Sequence, residues 1–143
     1  MGSYISLPSY LNTVDQRYRL VGKRCEGCGA VLFPPRVTCL ECGQRKMEDI
    51  KLSGHGTILT YTVIARGGAP TEFDDLQNMT GDYAVALVHL EEGPTVVGQM
   101  TYCEPRDLKI GQKVKAVFRV LYEQEGVIRY SYKFQPITKF PSK

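Results

Sequence analysis

Four of the five cysteines fall into two C-x-x-C pairs, Cys25-Glu-Gly-Cys28 and Cys39-Leu-Glu-Cys42, within the stretch "CEGCGAVLFPPRVTCLECG". Each pair places two thiolates on one tight turn, and a glycine (Gly29, Gly43) follows the second cysteine. Glycine there is expected to let backbone amides approach the sulfurs and hydrogen-bond to them. Two such turns meeting face to face offer four sulfurs at the corners of a tetrahedron, a geometry zinc accepts with bonds of about 2.3 Å. Iron takes the same four-thiolate set, so spacing alone leaves the metal open between the two, with zinc the default. Four thiolates also close the coordination sphere, leaving no position for water or substrate. The ligand set therefore points to a structural metal. An odd cysteine count with paired spacing fits a reducing compartment better than a disulfide scaffold.

Other candidate chemistry is sparse. Cys103 follows "GQMTY" at the end of a strand-like run and reads as a small buried apolar residue, because nothing places a basic partner beside it. His55, between Gly54 and Gly56, reads as a surface residue or a ligand contact. His89, on a Val85–Leu87–His89 strand face, reads as half-buried and satisfied. Glu91-Glu92 and Asp74-Asp75 read as solvated turn and loop residues. No G-x-S-x-G, H-E-x-x-H or Walker A pattern is present. Basic residues ring the cysteines: Arg17, Arg19, Lys23 and Arg24 before them, Arg36 between them, Arg45 and Lys46 after, with Tyr18 and Phe33 nearby. Arg24, Arg36, Arg45 and Lys46 are the candidate contacts to a phosphorylated ligand, an acidic partner or a nucleic acid. For any one of them simple exposure is the commoner state.

The elements that must position these residues fall into three segments. Residues 1–22 carry a short helix: Ser9 is a candidate cap, and Leu11, Val14 and Tyr18 lie at helical spacing. Tyr18–Val21 reads equally well as a strand entering the cysteines. Residues 23–50 have too little apolar mass for a core of their own and need a metal as staple. Residues 51–143 read as five strands: "HGTILTYTVIA", "DYAVALVHL", "TVVGQMTY", and the two arms of "QKVKAVFRVLYEQEGVIRYSYKF", turning at Glu123–Gly126. The last arm alternates, with Ile128, Tyr130, Tyr132 and Phe134 on one face and Arg129, Ser131 and Lys133 on the other. Gly54, Gly56 and Gly98 fit a small, strongly curved barrel. A long loop, residues 66–82, separates the first two strands, with Gly67-Gly68 as a candidate hinge. The fold class is mainly β.

Charge and hydropathy narrow the function. A formal net charge of +3 is too mild to announce a nucleic-acid binder, and Glu123 and Glu125 offset the basic residues of the last strands. No apolar run approaches the roughly 18 residues of a membrane span. The start "MGSYISLPSYLNT" lacks a basic end followed by an apolar run, so a cytoplasmic protein is expected.

Several phrases together carry a resemblance: "FPPR" between the cysteine pairs, "GHGT" opening the first barrel strand, "EEGPTVVG" at a hairpin and "DLKIG" before the fourth strand. In this order they resemble the DUF35 family over nearly the whole chain. The resemblance implies a short N-terminal helix, a rubredoxin-like zinc ribbon and a five-stranded OB-fold barrel. It implies Cys25, Cys28, Cys39 and Cys42 as metal ligands, and a non-catalytic partner of acyl-CoA enzymes. In archaeal members that partner bridges an acetoacetyl-CoA thiolase and a hydroxymethylglutaryl-CoA synthase of the mevalonate route. Acyl-CoA itself is then a candidate ligand. The competing reading from the residues alone is a single-strand nucleic-acid binder built on an OB barrel.

Overall fold

A computed structural model describes residues 7–124 and 126–137. Helices α1 (Leu7–Asn12) and α2 (Val14–Arg19) lead into a three-stranded sheet of β1 (Val21–Cys25), β2 (Val31–Leu32) and β3 (Met47–Lys51), ordered β2-β1-β3. The barrel follows, from β4 (His55–Ile64), β5 (Tyr83–Leu90), β6 (Thr95–Gln99), β7 (Lys113–Gln124) and β8 (Val127–Pro136), ordered β6-β5-β4-β7-β8. All of these strand pairs are antiparallel. A parallel bridge, Met100 to Phe134, joins the two ends and nearly closes the barrel. Mainly β architecture, a ribbon and an OB-type barrel are thus what the sequence folds into. Among the described residues no helix is long and apolar enough to cross a membrane.

The barrel interior follows the period-two rule. Ala84, Ala86, Val88 and Leu90 of β5 are buried, as are Ile58, Met100, Val114 and Phe134. Leu20 and Leu52, on either side of the ribbon sheet, belong to the same cluster, so ribbon and barrel share one apolar core. The Leu52 amide donates to the Leu20 carbonyl at 2.9 Å and ties the two flanks together. His89 points the other way. It is exposed rather than half-buried, with Nδ1 3.3 Å from the Thr95 hydroxyl across the β5–β6 ladder. The core face is the even-numbered one, and the Val85–Leu87–His89 face is the outer one.

The N-terminal helix departs from its expected pattern. The chain is already helical at Leu7, so Ser9 lies inside α1 and is not its cap. The helix breaks at Thr13, whose hydroxyl donates to the carbonyls of Ser9 and Tyr10. Leu11 is exposed; the packed stripe is Tyr10, Val14 and Tyr18 instead. Tyr10 and Tyr18 share a hydroxyl hydrogen bond of 2.8 Å, and Tyr132 on β8 donates to the Tyr18 carbonyl at 2.8 Å. The Tyr18 ring also meets Phe118 edge-on at 5.7 Å. Tyr18 therefore faces the barrel and is not a free platform beside the cysteines.

Residues 66–82 are not a structureless loop. They hold a 3-10 turn (Thr71–Phe73) and helix α3 (Asp74–Thr80). Gln77 of α3 is buried, and its amide donates to the carbonyls of Ile64 and Ala65 and accepts from the Gly67 amide. One side chain thus satisfies the backbone where a hinge was expected. Phe73 packs edge-on against Tyr122 at 5.3 Å, pinning the segment to the barrel. Asp74 and Asp75 are exposed in the first turn of α3, where carboxylates favour the helix dipole. The third barrel strand ends at Gln99, earlier than expected, and Cys103 lies beyond it. Glu125 of the β7–β8 turn lies outside the described residues.

The β5–β6 turn carries an interaction invisible in its own sequence. Glu92 is not solvated: Oε1 accepts from the Ser53 amide at 2.6 Å, and Oε2 is buried without a partner among the described residues. Burial works to raise the Glu92 carboxyl, but hydrogen bonds from the Ser53 amide and hydroxyl and from its own amide, with the nearby His55 charge, outweigh it. The net effect holds the group below the usual carboxylate range. A carboxyl lowered on folding adds stability above its unfolded pKa of about 4.3, and that stability is lost as pH falls through the folded value. Glu92→Gln should therefore melt below the wild type at neutral pH. The gap should close as the buffer is taken from about pH 6 to about pH 3. A gap that stays constant with pH would show that the charge contributes nothing.

Candidate metal centre

β1 ends on Cys25 and the chain turns at once. The Cys25 amide donates to the Ala30 carbonyl at 2.9 Å, and the Gly29 amide donates back to the Cys25 carbonyl at 2.9 Å. The second pair repeats the arrangement: Cys39 to Gln44 at 2.8 Å, and Gly43 to Cys39 at 3.0 Å. Gly29 and Gly43 sit at φ of 74° and 73°, the left-handed region that disfavours a side chain. Nothing lies within 4 Å of where a Cβ would stand at either. Glycine is therefore needed for handedness, and the turn then aims the Ala30 and Gln44 amides at the sulfurs of Cys28 and Cys42.

The two turns bring four sulfurs together. Cys25 Sγ lies 3.5 Å from Cys42 Sγ, Cys28 Sγ lies 3.5 Å from Cys39 Sγ, and all four fall within 4.8 Å of one another. A tetrahedron built on bonds of about 2.3 Å has edges of about 3.8 Å, so the cluster is positioned to hold a metal ion. The thiols themselves register the crowding. The Ala30 amide works to lower Cys28, but the sulfurs of Cys39 and Cys42, with burial, outweigh it and push the thiol up to about 12. Cys25 is held at about 7, first by the Cys28 amide, against burial and with help from the Gly27 amide. Four sulfurs this close cannot all ionise without a cation among them.

The charged surroundings are more balanced than the sequence implied. β3 lies antiparallel beside β1 and brings Asp49 to Lys23 at 2.6 Å and Glu48 to Arg24 at 3.9 Å. Arg24 is thus already partnered. Arg36, Arg45 and Lys46 are exposed, with no ion pair among the described residues. Phe33 packs against the core, so neither of the two aromatics near the ribbon is free to stack on a base. His55 is exposed at the start of β4. Burial first, then the Glu104 and Asp107 carboxylates, push the Cys103 thiol up, the opposite of nucleophile activation. Gln77 and Gln99 are polar residues that pattern reading passed over, and Glu92 and Lys133 are ones it took for solvated or outer-face groups. Each is buried or held by segments far away in the sequence.

Comparison with known proteins agrees with the geometry. Residues 15–48 match the family described as the ChsH2 rubredoxin-like zinc ribbon domain, and residues 49–119 the ChsH2 C-terminal OB-fold domain. The chain is 43% identical over 127 residues to a DUF35 domain-containing scaffold protein of Methanocaldococcus jannaschii, covering 87% of this chain and 86% of that relative. It is 30% identical over 96 residues to a probable enoyl-CoA hydratase alpha subunit of Thermomonospora curvata, covering 67% of this chain and 28% of that one. A solved structure described as an Ltp2-ChsH2(DUF35) aldolase shares the fold, with a TM-score of 0.68 at 23% identity, over 96% of this chain and 100% of that chain.

Proposed function

We infer the function of this chain from its family: it belongs to the DUF35 scaffold proteins, built from a zinc ribbon and an OB-fold barrel. It works as a non-catalytic subunit that holds acyl-CoA enzymes together. The partners are an acetoacetyl-CoA thiolase and a hydroxymethylglutaryl-CoA synthase in the cytoplasm, and the chain contacts acyl-CoA at their junction. The observation that carries this is the 43% identity, over most of both chains, to a protein named as a scaffold. The hydratase-subunit relative supports the link to acyl-CoA chemistry.

Zinc is the metal proposed for Cys25, Cys28, Cys39 and Cys42. Bound there, it would supply cross-linking and no reaction, because four thiolates leave it no open position. Of the basic residues, Arg36, Arg45 and Lys46 are the better candidates for CoA phosphates or an acidic partner. Arg24 already faces Glu48.

The test is affinity purification of the tagged chain from its native host at low salt with nuclease treatment, followed by mass spectrometry. A thiolase and a synthase recovered in fixed ratio is the expected result. Recovery instead of nucleic-acid proteins, lost on nuclease treatment and steeply salt-dependent, would transfer the function to single-strand nucleic-acid binding.

A further inference from the structure

Where β6 and β8 close the barrel, a cavity of about 800 Å³ opens beside the seam. The parallel bridge from Met100 to Phe134 sets the register there. Met100 and Phe134 point into the core, so their preceding neighbours, Gln99 and Lys133, stand side by side on the opposite face. Both line the cavity. Gln99 is 9% exposed and Lys133 6%. Neither side chain has a hydrogen-bond or ion-pair partner among the described residues, and Gln99 Oε1 is buried outright. Two adjacent, nine-tenths-buried polar groups without partners carry a desolvation cost that packing alone does not explain.

We propose that this cavity is a binding site for a short-chain hydroxy acid, held by its carboxylate on Lys133 and by its hydroxyl on Gln99. The chemistry of the walls selects that class. An ammonium has three donors and no acceptor, so it calls for an anion. The buried amide oxygen calls for a donor, which a bare carboxylate lacks and a hydroxyl supplies. Val63, Leu76 and Tyr83 line it with apolar surface for a short carbon chain. Asp82, Glu104 and Arg106 also line the cavity and are exposed, Asp82 Oδ1 accepts from the Arg66 amide, and no carboxylate among the described residues forms an ion pair with Lys133. Burial holds the Lys133 amine below the usual lysine range, a cost that a bound carboxylate would relieve. The volume lies within the roughly 300–1,000 Å³ typical of small-ligand pockets. The site is independent of the scaffold reading, since every group in it comes from this chain.

The experiment is an NMR titration of the isotope-labelled full chain with 3-hydroxybutyrate, and in parallel with butyrate and 2-butanol. Saturable shifts centred on Thr101, Tyr102 and Cys103 are expected for 3-hydroxybutyrate, with weaker binding of the other two. Lys133→Met, close in shape and apolar, should keep the fold and weaken 3-hydroxybutyrate about 10-fold or more, the loss of a hydrogen bond to a charged group. Gln99→Leu should abolish the preference over butyrate while leaving butyrate binding intact. No saturable shift at about 50 mM, well above the weak affinity one ion pair and one hydrogen bond confer, would overturn the proposal. So would unchanged binding by a folded Lys133→Met. If Lys133→Met proves unfolded, acetylating the wild-type lysines becomes the deciding measurement, and binding that survives complete Lys133 acetylation would equally overturn it.

Discussion

Cys39→Ser is expected to lose its bound metal and to melt in two steps, the ribbon well below the barrel. The reason lies in how little else holds the ribbon. Between Lys23 and Lys51 the buried residues are Cys25 and Cys39, and no others. Its apolar side chains Val31, Phe33 and Ile50 are only partly buried against the shared core, and its own centre is the sulfur cluster. Structural zinc sites of this kind supply about 10–16 kcal/mol of apparent binding energy, and that energy is folding energy. Serine offers a harder oxygen that stays protonated at neutral pH, so three thiolates remain and the sphere is open. Leu20 and Leu52 sit in the shared core, so barrel strands should keep their own transition. Metal content by mass spectrometry, with thermal melts in the presence and absence of chelator, checks this. A variant holding one metal per chain and melting like the wild type would overturn the ligand assignment. Cys28→Ser offers a second reading, because its exposed position makes a packing defect a poor explanation for metal loss.

The ribbon was legible in the sequence because its information is local. Two residues separate the cysteines of each pair, and the glycine that sets the turn follows at once. The barrel was legible through alternation, which needs only a strand and its two faces. The misread residues share a different property. Glu92 looked solvated because its partner, Ser53, is 39 residues away. Lys133 was assigned to a polar face because alternation cannot say that residues 99–106 fold across that face once the barrel closes. Tyr18 looked like part of the cysteine region, yet its carbonyl is bonded by Tyr132, 114 residues on. Helix α3 is the exception. Its signal, Asp74-Asp75 ahead of an apolar Leu76, was local and available as a helix start. In the ribbon, the pairing of Arg24 with Glu48 depends on β1 and β3 lying in register, which spacing alone does not reveal.

Gly98→Ala is the second substitution expected to have a large effect, and it reaches the barrel rather than the ribbon. Gly98 pairs with Ala86 across the β5–β6 ladder, one turn of the pleat before the closing bridge. A Cβ there would overlap the Phe134 ring at Cδ2 and Cε2. That ring cannot swing aside. It is 2% exposed in the core, and its carbonyl accepts from the Thr101 amide at 2.8 Å, which fixes the backbone at the seam. Overpacking of a rigid core costs about 1–3 kcal/mol, and here the strain falls on the contact that closes the barrel. Phe134→Ala removes the ring at a cost of about 3–5 kcal/mol but leaves room for the new methyl. The two substitutions should therefore be non-additive: in the Phe134→Ala background, Gly98→Ala should cost about nothing or return part of the lost stability. Urea unfolding of the four proteins of this cycle measures the coupling. Simple additivity would mean that the glycine is needed for strand flexibility and not for the ring. Gly56 offers a contrast within the same barrel. A Cβ there would meet the His89 carbonyl oxygen at 2.6 Å and Val88 at 2.7 Å, and the oxygen belongs to backbone that no side-chain truncation can clear. Gly56→Ala should therefore stay destabilising in every side-chain background, whereas Gly98→Ala is relieved by the loss of one ring.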